Sequence, residues 1–327
     1  MPGLPLALAL VAVASVPALQ RARARRDLAA RVTNVTGTID PLVAAIAPAP
    51  RERLLASWQT VGGCGAGSAT GIGGIKWIGR NVSGGLVHVQ TQGNYTRLNG
   101  GYSFALQSQL SGDLGPKWNV GVVVPFLYKW IDNYADTGYA LSNGGLGDIN
   151  LLVSRRFGAI NDTTLTLSLG APTGTHEANC RISANKVLFN CLPQDRQLGT
   201  GTYSGALLLE HTVDNIWGPL VYGGTLGYPG AENSIHNYRA PSASVYGYAA
   251  YLMGPLAPAF GLTLTQFLAH DRDNGFATER GMTMVAGNAS LEWANSWVAI
   301  LAGVSVPFSR QGREPWTAGL GIAFAPF

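Results

Sequence analysis

Several polar and charged residues stand inside stretches whose other positions alternate between apolar and small. In "DINLLVSRRF" (148–157), Ile149, Leu151, Val153 and Phe157 take one side, while Asp148, Asn150, Leu152, Ser154 and Arg156 take the other. Leu207 and Leu209 leave Glu210 on the opposite face, Leu291 and Trp293 leave Glu292 there, and Val87 and Val89 do the same for His88 and Gln90. Successive side chains of a strand point to opposite faces. These groups therefore converge on one interior if the apolar faces look outward. Charges that would be costly against lipid can pair across or beside a wet lumen. Two roles suit them: a structural ion network, or a constriction that selects among passing solutes. A guanidinium engages one carboxylate through two hydrogen bonds, so Arg156 is expected to pair with Glu210 or Glu292, with Glu210 the better placed.

Other chemistry is poorly served. His176, His211, His236 and His270 show no tight spacing with carboxylates of the kind a zinc site needs. No serine–histidine pair stands out as nucleophile and base. "GGCGAGSATGIGG" is glycine-dense but lacks the lysine and hydroxyl residue of a phosphate loop. N-x-[ST] matches at Asn34, Asn81, Asn94, Asn161 and Asn288 read as chance, two of them lying in or against strands. The formal charge of +4 has no nucleic-acid meaning: "RARARR" at 21–26 supplies four arginines, and segment 61–327 balances 15 basic against 15 acidic residues. No enzyme, metal, cofactor or nucleic-acid partner is expected.

The elements that would position the interior set are strands. Only 12% of the 327 residues are charged and 43 are glycine, a poor match to an ordinary soluble surface. Period-two segments are expected near 72–92, 100–111, 117–128, 147–157, 161–171, 199–212, 217–228, 241–254, 257–269, 282–294, 296–308 and 316–327. Connections after even strands are brief ("SGDLGP", "GAI", "VDNIW", "GPLA", Asn295). Those after odd strands include "WIDNYADTGYALSNGG", the stretch 172–198, "YPGAENSIHNYRA", "DRDNGFATERG" and "SRQGREP". That rhythm predicts an all-β fold, a closed antiparallel transmembrane β-barrel of about 12 strands, with short turns on one side and long loops on the other. An even count lets the last strand pair with the first, so no edge is left in hydrocarbon. Trp118, Tyr128, Trp217, Tyr228, Trp293, Trp297 and Phe308 near strand ends read as interfacial belts.

Residues 1–24 read as a signal peptide, with an apolar run from Leu4 to Leu19. Residues 25–61 read as an N-terminal extension or small plug with a proline hinge at Pro48 and Pro50, and 62–327 as the barrel. Export makes Cys180 and Cys191, inside the longest loop, an expected disulfide, with Cys64 left over.

The ending "PWTAGLGIAFAPF" looks like the assembly signal of bacterial outer-membrane barrels, although Leu320, Ile322 and Phe324 are out of phase with Phe327. "GGLGDINLLVSRRFG" (144–158), "LTLSLGAPTG" (165–174) and "LGTGTYSGALLLEH" (198–211) resemble the MetA-pathway of phenol degradation family of outer-membrane proteins. The matching residues are Gly145, Leu146, Gly147 and Asp148, then Leu169, Gly170, Pro172 and Gly174, then Gly199, Thr200 and Gly201. The resemblance implies a bacterial outer-membrane location and a transporter role. Outer-membrane lipids, the barrel-assembly machinery and a small organic solute are its expected partners. The expected function is passive uptake of small organic, including aromatic, solutes. The alternative is a structural or adhesive barrel with a filled lumen and partner-binding outer loops.

Overall fold

A computed structural model describes residues 87–324, apart from 99, 116, 133–139, 159–162, 179–180, 183–187, 190–191, 193–196, 215–216, 274, 278–282, 296–297 and 309–315. Cys64, Cys180, Cys191, Trp297 and Phe327 lie outside the described residues, as do the expected signal peptide and N-terminal extension.

Twelve antiparallel strands follow one another around a closed ring. They are β1 (Val87–Leu98), β2 (Gly101–Asp113), β3 (Trp118–Ile131) and β4, which has two segments, Leu141–Leu146 and Ile149–Phe157. Then come β5 (Thr163–Ala171), β6 (Ser204–Asp214), β7 (Pro219–Tyr228), β8 (Ser242–Ala250), β9 (Leu256–Phe267), β10 (Thr283–Ala294), β11 (Val298–Pro307) and β12 (Trp316–Phe324). Each pairs with its sequence neighbours, and β12 pairs with β1 from Phe324↔Val89 to Trp316↔Arg97, which closes the sheet. Every strand edge is thereby satisfied, the condition for crossing hydrocarbon with strands. Among the described residues no helix is long and apolar enough to cross a membrane.

The two faces differ as the alternation requires. Outward Leu209, Leu262 and Leu320 are 53%, 60% and 63% exposed, whereas inward Glu210 is 2% exposed. A soluble protein does not leave such a continuous apolar surface bare. Aromatic rings cap it at both ends. At the long-loop end Tyr95, Tyr102, Trp130 and Trp316 stack in a row, with centroid separations of 5.4–6.3 Å. At the short-turn end Trp217 meets Tyr251 at 6.1 Å, and Arg155 lies 5.1 Å from the Trp118 ring. Tyr128 stands ten positions beyond Trp118 on β3. At about 3.3 Å per residue and a tilt of about 40°, that is an apolar band of roughly 25 Å.

Three expectations are corrected. The first strand, described from Val87, runs on to Leu98 where an end at 92 was expected; 72–86 lie outside the described residues. The Phe104 ring covers the Gly93 position, with its nearest atom 3.4 Å from where a Cβ would stand, so the strand continues past 92. The β1–β2 connection is therefore a two-residue turn, with Gly100 at φ +69°, and this one odd connection breaks the parity of loop lengths. The fourth strand begins six residues earlier, at Leu141, and carries a bulge. Its register on β3 passes from Leu146↔Phe126 to Asn150↔Val123, one residue longer on β4. Pro125 lies opposite; its carbonyl accepts from Gly147 N at 2.9 Å. The sixth strand starts at Ser204 rather than 199, because 197–203 belong to a loop packed against the inner wall.

Candidate functional site in the barrel interior

The seven interior residues expected from the sequence all face inward or sit at the bulge, and all are buried: His88, Gln90, Asp148, Asn150, Arg156, Glu210 and Glu292. The polar interior has three levels.

At the short-turn end, Arg156 Nη2 lies 3.1 Å from Asp113 Oδ1. His88 Nε2 is 3.7 Å from Asp113 Oδ2, and Asn119 Nδ2 donates to Asp113 Oδ1 at 3.0 Å. The partner of Arg156 is thus Asp113, where Glu210 or Glu292 was expected. Glu210 does lie in register with Arg156, through Arg156↔Thr164↔Glu210. Its carboxylate instead accepts a 2.9 Å hydrogen bond from Tyr246 Oη. Asp113 escaped the sequence reading because "SGDLGP" looked like turn; its phase with Ser111 and Gln109 was the available signal.

The middle of the barrel has polar and aromatic walls. On β8, Tyr246 lies flat over Gly223 of β7, whose Cβ would stand 2.5 Å from Tyr246 Oη. Tyr248 lies over Gly261 of β9 and reaches Thr263 Oγ1 at 3.4 Å. Glycines on both neighbouring strands let the rings lie along the wall. Hydroxyl pairs tie other strands together: Ser154 to Thr166 at 2.9 Å and Ser244 to Thr265 at 2.8 Å.

At the long-loop end, the β5–β6 loop (172–203) packs against the inner wall through its described ends around Gly174 and 197–200. Asp148, at the bulge, accepts from Gly174 N at 3.0 Å, Thr200 N at 2.7 Å and Thr200 Oγ1 at 2.8 Å. Gly174 and Gly199 meet backbone to backbone; a Cβ on Gly199 would stand 2.6 Å from Asp148 Oδ1. The three sequence elements 145–148, 169–174 and 199–201 therefore form one clamp around a single carboxylate. Lys129, inward on β3 and 1% exposed, donates to the Gln197 carbonyl. The Gln197 side chain holds the loop to itself, with Nε2 on Leu192 O at 2.9 Å and Oε1 accepting from Ala178 N at 3.0 Å. Lys129 was missed because its strand was expected to end at 128.

The clamp extends to the other long loops. Asn233 Nδ2 donates to Thr200 O at 2.8 Å, and Arg239 Nη1 meets Asp271 Oδ2 at 2.6 Å. In the exposed part, Glu232 accepts from His236 at 2.7 Å and from Arg272 at 3.2 Å. The His236 contact first, then Arg272, holds the Glu232 carboxyl below the ordinary glutamate value. Among the described residues no group of His, Cys, Asp and Glu could hold a metal ion.

A closed ring, an apolar outer belt between two aromatic rows and a polar interior decide the class. The chain is a twelve-stranded outer-membrane β-barrel. Barrels of this class place short turns on the periplasmic side and longer loops outside. It is similar in fold to an outer membrane channel from Pseudomonas putida F1, with a TM-score of 0.54 and 15% identity over 76% of this chain and 97% of that one. It is more distantly similar to the β domain of the Bordetella autotransporter BrkA (TM-score 0.43, 13% identity, 75% and 100% coverage) and to the NanC porin (TM-score 0.41, 12% identity, 72% and 98% coverage). No family model and no curated protein matches the sequence.

Proposed function

We propose that the barrel is a narrow channel for passive uptake of small organic solutes, entered from outside past the β5–β6 loop. The observation that carries this reading is the inner wall of the transmembrane part. It is made largely of Gln, Ser, Thr, Gly and Ala, and its two tyrosines lie flat over Gly223 and Gly261 instead of crossing the bore. Twelve strands enclose more than their own side chains need, since about eight suffice to be filled by them. Ser168, Thr265 and Asn288 are 2%, 1% and 8% exposed, which favours a tight path over a wide water-filled one. The Asp113–Arg156 pair at the periplasmic mouth is the selectivity element, and the clamped loop is the outer constriction. The resemblance of 145–211 to the MetA-pathway of phenol degradation family supports small organic solutes, aromatic ones included, as the cargo.

Planar-bilayer recording of the reconstituted protein tests the reading. Discrete conductance steps smaller than those of wide porins are expected. A correctly folded barrel, recognised by its heat-modifiable gel mobility, that shows no steps overturns it and leaves the filled structural barrel.

A further inference from the structure

Buried amide acceptors without a partner concentrate on the inward face of β1 and β2, with Asn288 Oδ1 on β10 the one other on the wall among the described residues. Gln90 stands in register opposite Gln109, and Gln92 opposite Gln107, with the His88↔Ser111 pair below them and Asn94 above. The four glutamines are between 1% and 8% exposed. Oε1 of Gln90, Gln92 and Gln107 and Oγ of Ser111 are buried without a hydrogen-bond partner. Gln92 Nε2 is engaged, donating to Asn94 Oδ1 at 2.8 Å. Elsewhere the interior pairs its hydroxyls across strands, as Ser154–Thr166 and Ser244–Thr265 do. A wall with only a structural task gains nothing from long amides whose acceptors stay unpaired, because burying such a group is unfavourable.

We infer that this amide ladder is the contact rail for the solute, and that it selects neutral molecules carrying hydroxyl or amide groups. The inference rests on the channel reading above and names the solute chemistry. An amide side chain presents both a carbonyl acceptor and N–H donors and can turn to offer either. Its best match is a group that also donates and accepts, and small ions or ethers lack that match. Three orphan acceptors on adjacent strands allow a solute to exchange one partner for the next as it moves. Around a ring of twelve, β8 lies six strands from β2, so the flat rings of Tyr246 and Tyr248 line the wall opposite Gln107 and Gln109. A solute between them sets a polar edge on the amides and an apolar face toward the rings.

The test uses the full chain in liposomes, with a small polyol and its fully O-methylated ether as matched probes and ion conductance as the internal control. Wild type is compared with Gln92→Met/Gln107→Met, which keeps side-chain length and removes the amides. The expected result is a polyol-over-ether permeation ratio that falls about fivefold in the variant, as loss of roughly one hydrogen bond's worth of preference implies, while discrete ion conductance, whatever its size, still shows an open path. If the double variant does not assemble, the single Gln107→Met variant carries the same comparison. An equal ratio in wild type and variant, with conductance intact, overturns the rail and leaves the channel standing. Passage of neither solutes nor ions through a folded barrel overturns both.

Discussion

Asp148→Ala is the perturbation that reaches furthest into this structure. The carboxylate, 2% exposed, accepts from two backbone N–H groups, Gly174 and Thr200, and from the Thr200 hydroxyl. The hydroxyl has a second acceptor within reach, Thr202 O at 2.8 Å, and turns to it. The two amides have no such freedom, and each buried donor left unpaired costs about 1–3 kcal/mol. The loss is about 3 kcal/mol. It falls on the β5–β6 loop, because no inter-strand ladder bond passes through this side chain. At about 1.4 kcal/mol per factor of ten, the detached loop becomes more than a hundredfold more populated. Asp148→Asn keeps one acceptor oxygen and costs about half as much. Limited trypsin digestion of the liposome-embedded protein reads the loop, since cleavage that is slow relative to reclosing tracks the open population. Cleavage between 172 and 203 should accelerate in the order wild type, Asn, Ala, while the folded barrel keeps its gel mobility and its conductance rises. Wild-type digestion and conductance in Asp148→Ala would refute the reasoning, because the loop would then be held by something other than this carboxylate.

Four further outcomes follow from the geometry. Reversal potentials should move toward cation preference in Arg156→Gln and toward anion preference in Asp113→Asn; shifts of the same sign, or none, would remove the pair from the conduction path. Gly223→Leu brings a side chain against Tyr246 and the Leu209 carbonyl, so it should destabilise the barrel by about 1–3 kcal/mol in urea titration and reduce conductance. Leu262→Arg, in the middle of β9 and 60% exposed, should cost about 2–4 kcal/mol in lipid vesicles, and a neutral outcome would mean that this face does not meet lipid. The lowered Glu232 carboxyl keeps its pairs with His236 and Arg272 at neutral pH and loses them as pH falls through its folded value, below the ordinary glutamate range. Amide hydrogen exchange over 230–240 and 270–273, corrected for its intrinsic pH dependence, should therefore accelerate in acid, and in Glu232→Gln it should already be faster at neutral pH.

The barrel was legible because its signals are periodic and redundant. Leu165, Leu167 and Leu169 alternate with Thr164, Thr166 and Ser168, and the observed β5 keeps that phase, with the second set buried inside. Position along the wall was less legible. Asp113 and Lys129 stand just beyond the expected ends of β2 and β3, where a charged residue reads as turn, yet both strands continue past them into the interior. The partner of Arg156 depends on which way a long guanidinium leans. Glu210 shares its register line, but Tyr246, from two strands farther on, already holds that carboxylate. The clamp was visible only as three short glycine-rich matches. That Gly147–Asp148, Pro172–Gly174 and Gly199–Thr200 meet at one point follows from a bulge opposite Pro125 and a loop packed inside the wall, and neither has a local periodicity. The amide ladder was half visible: His88 and Gln90 stood out by their phase with Val87 and Val89, while Gln92 seemed to close a strand that in fact continues to Leu98.

The central claim, a tight conducting path bounded by the clamped loop, is tested most directly by liposome swelling with neutral solutes of graded size. The structure predicts that small hydroxylated solutes enter, that entry stops sharply as size increases, and that Asp148→Ala moves the cut-off to larger solutes. Exclusion of every solute by wild type and Asp148→Ala alike, in liposomes holding heat-modifiable folded barrels, would contradict the account.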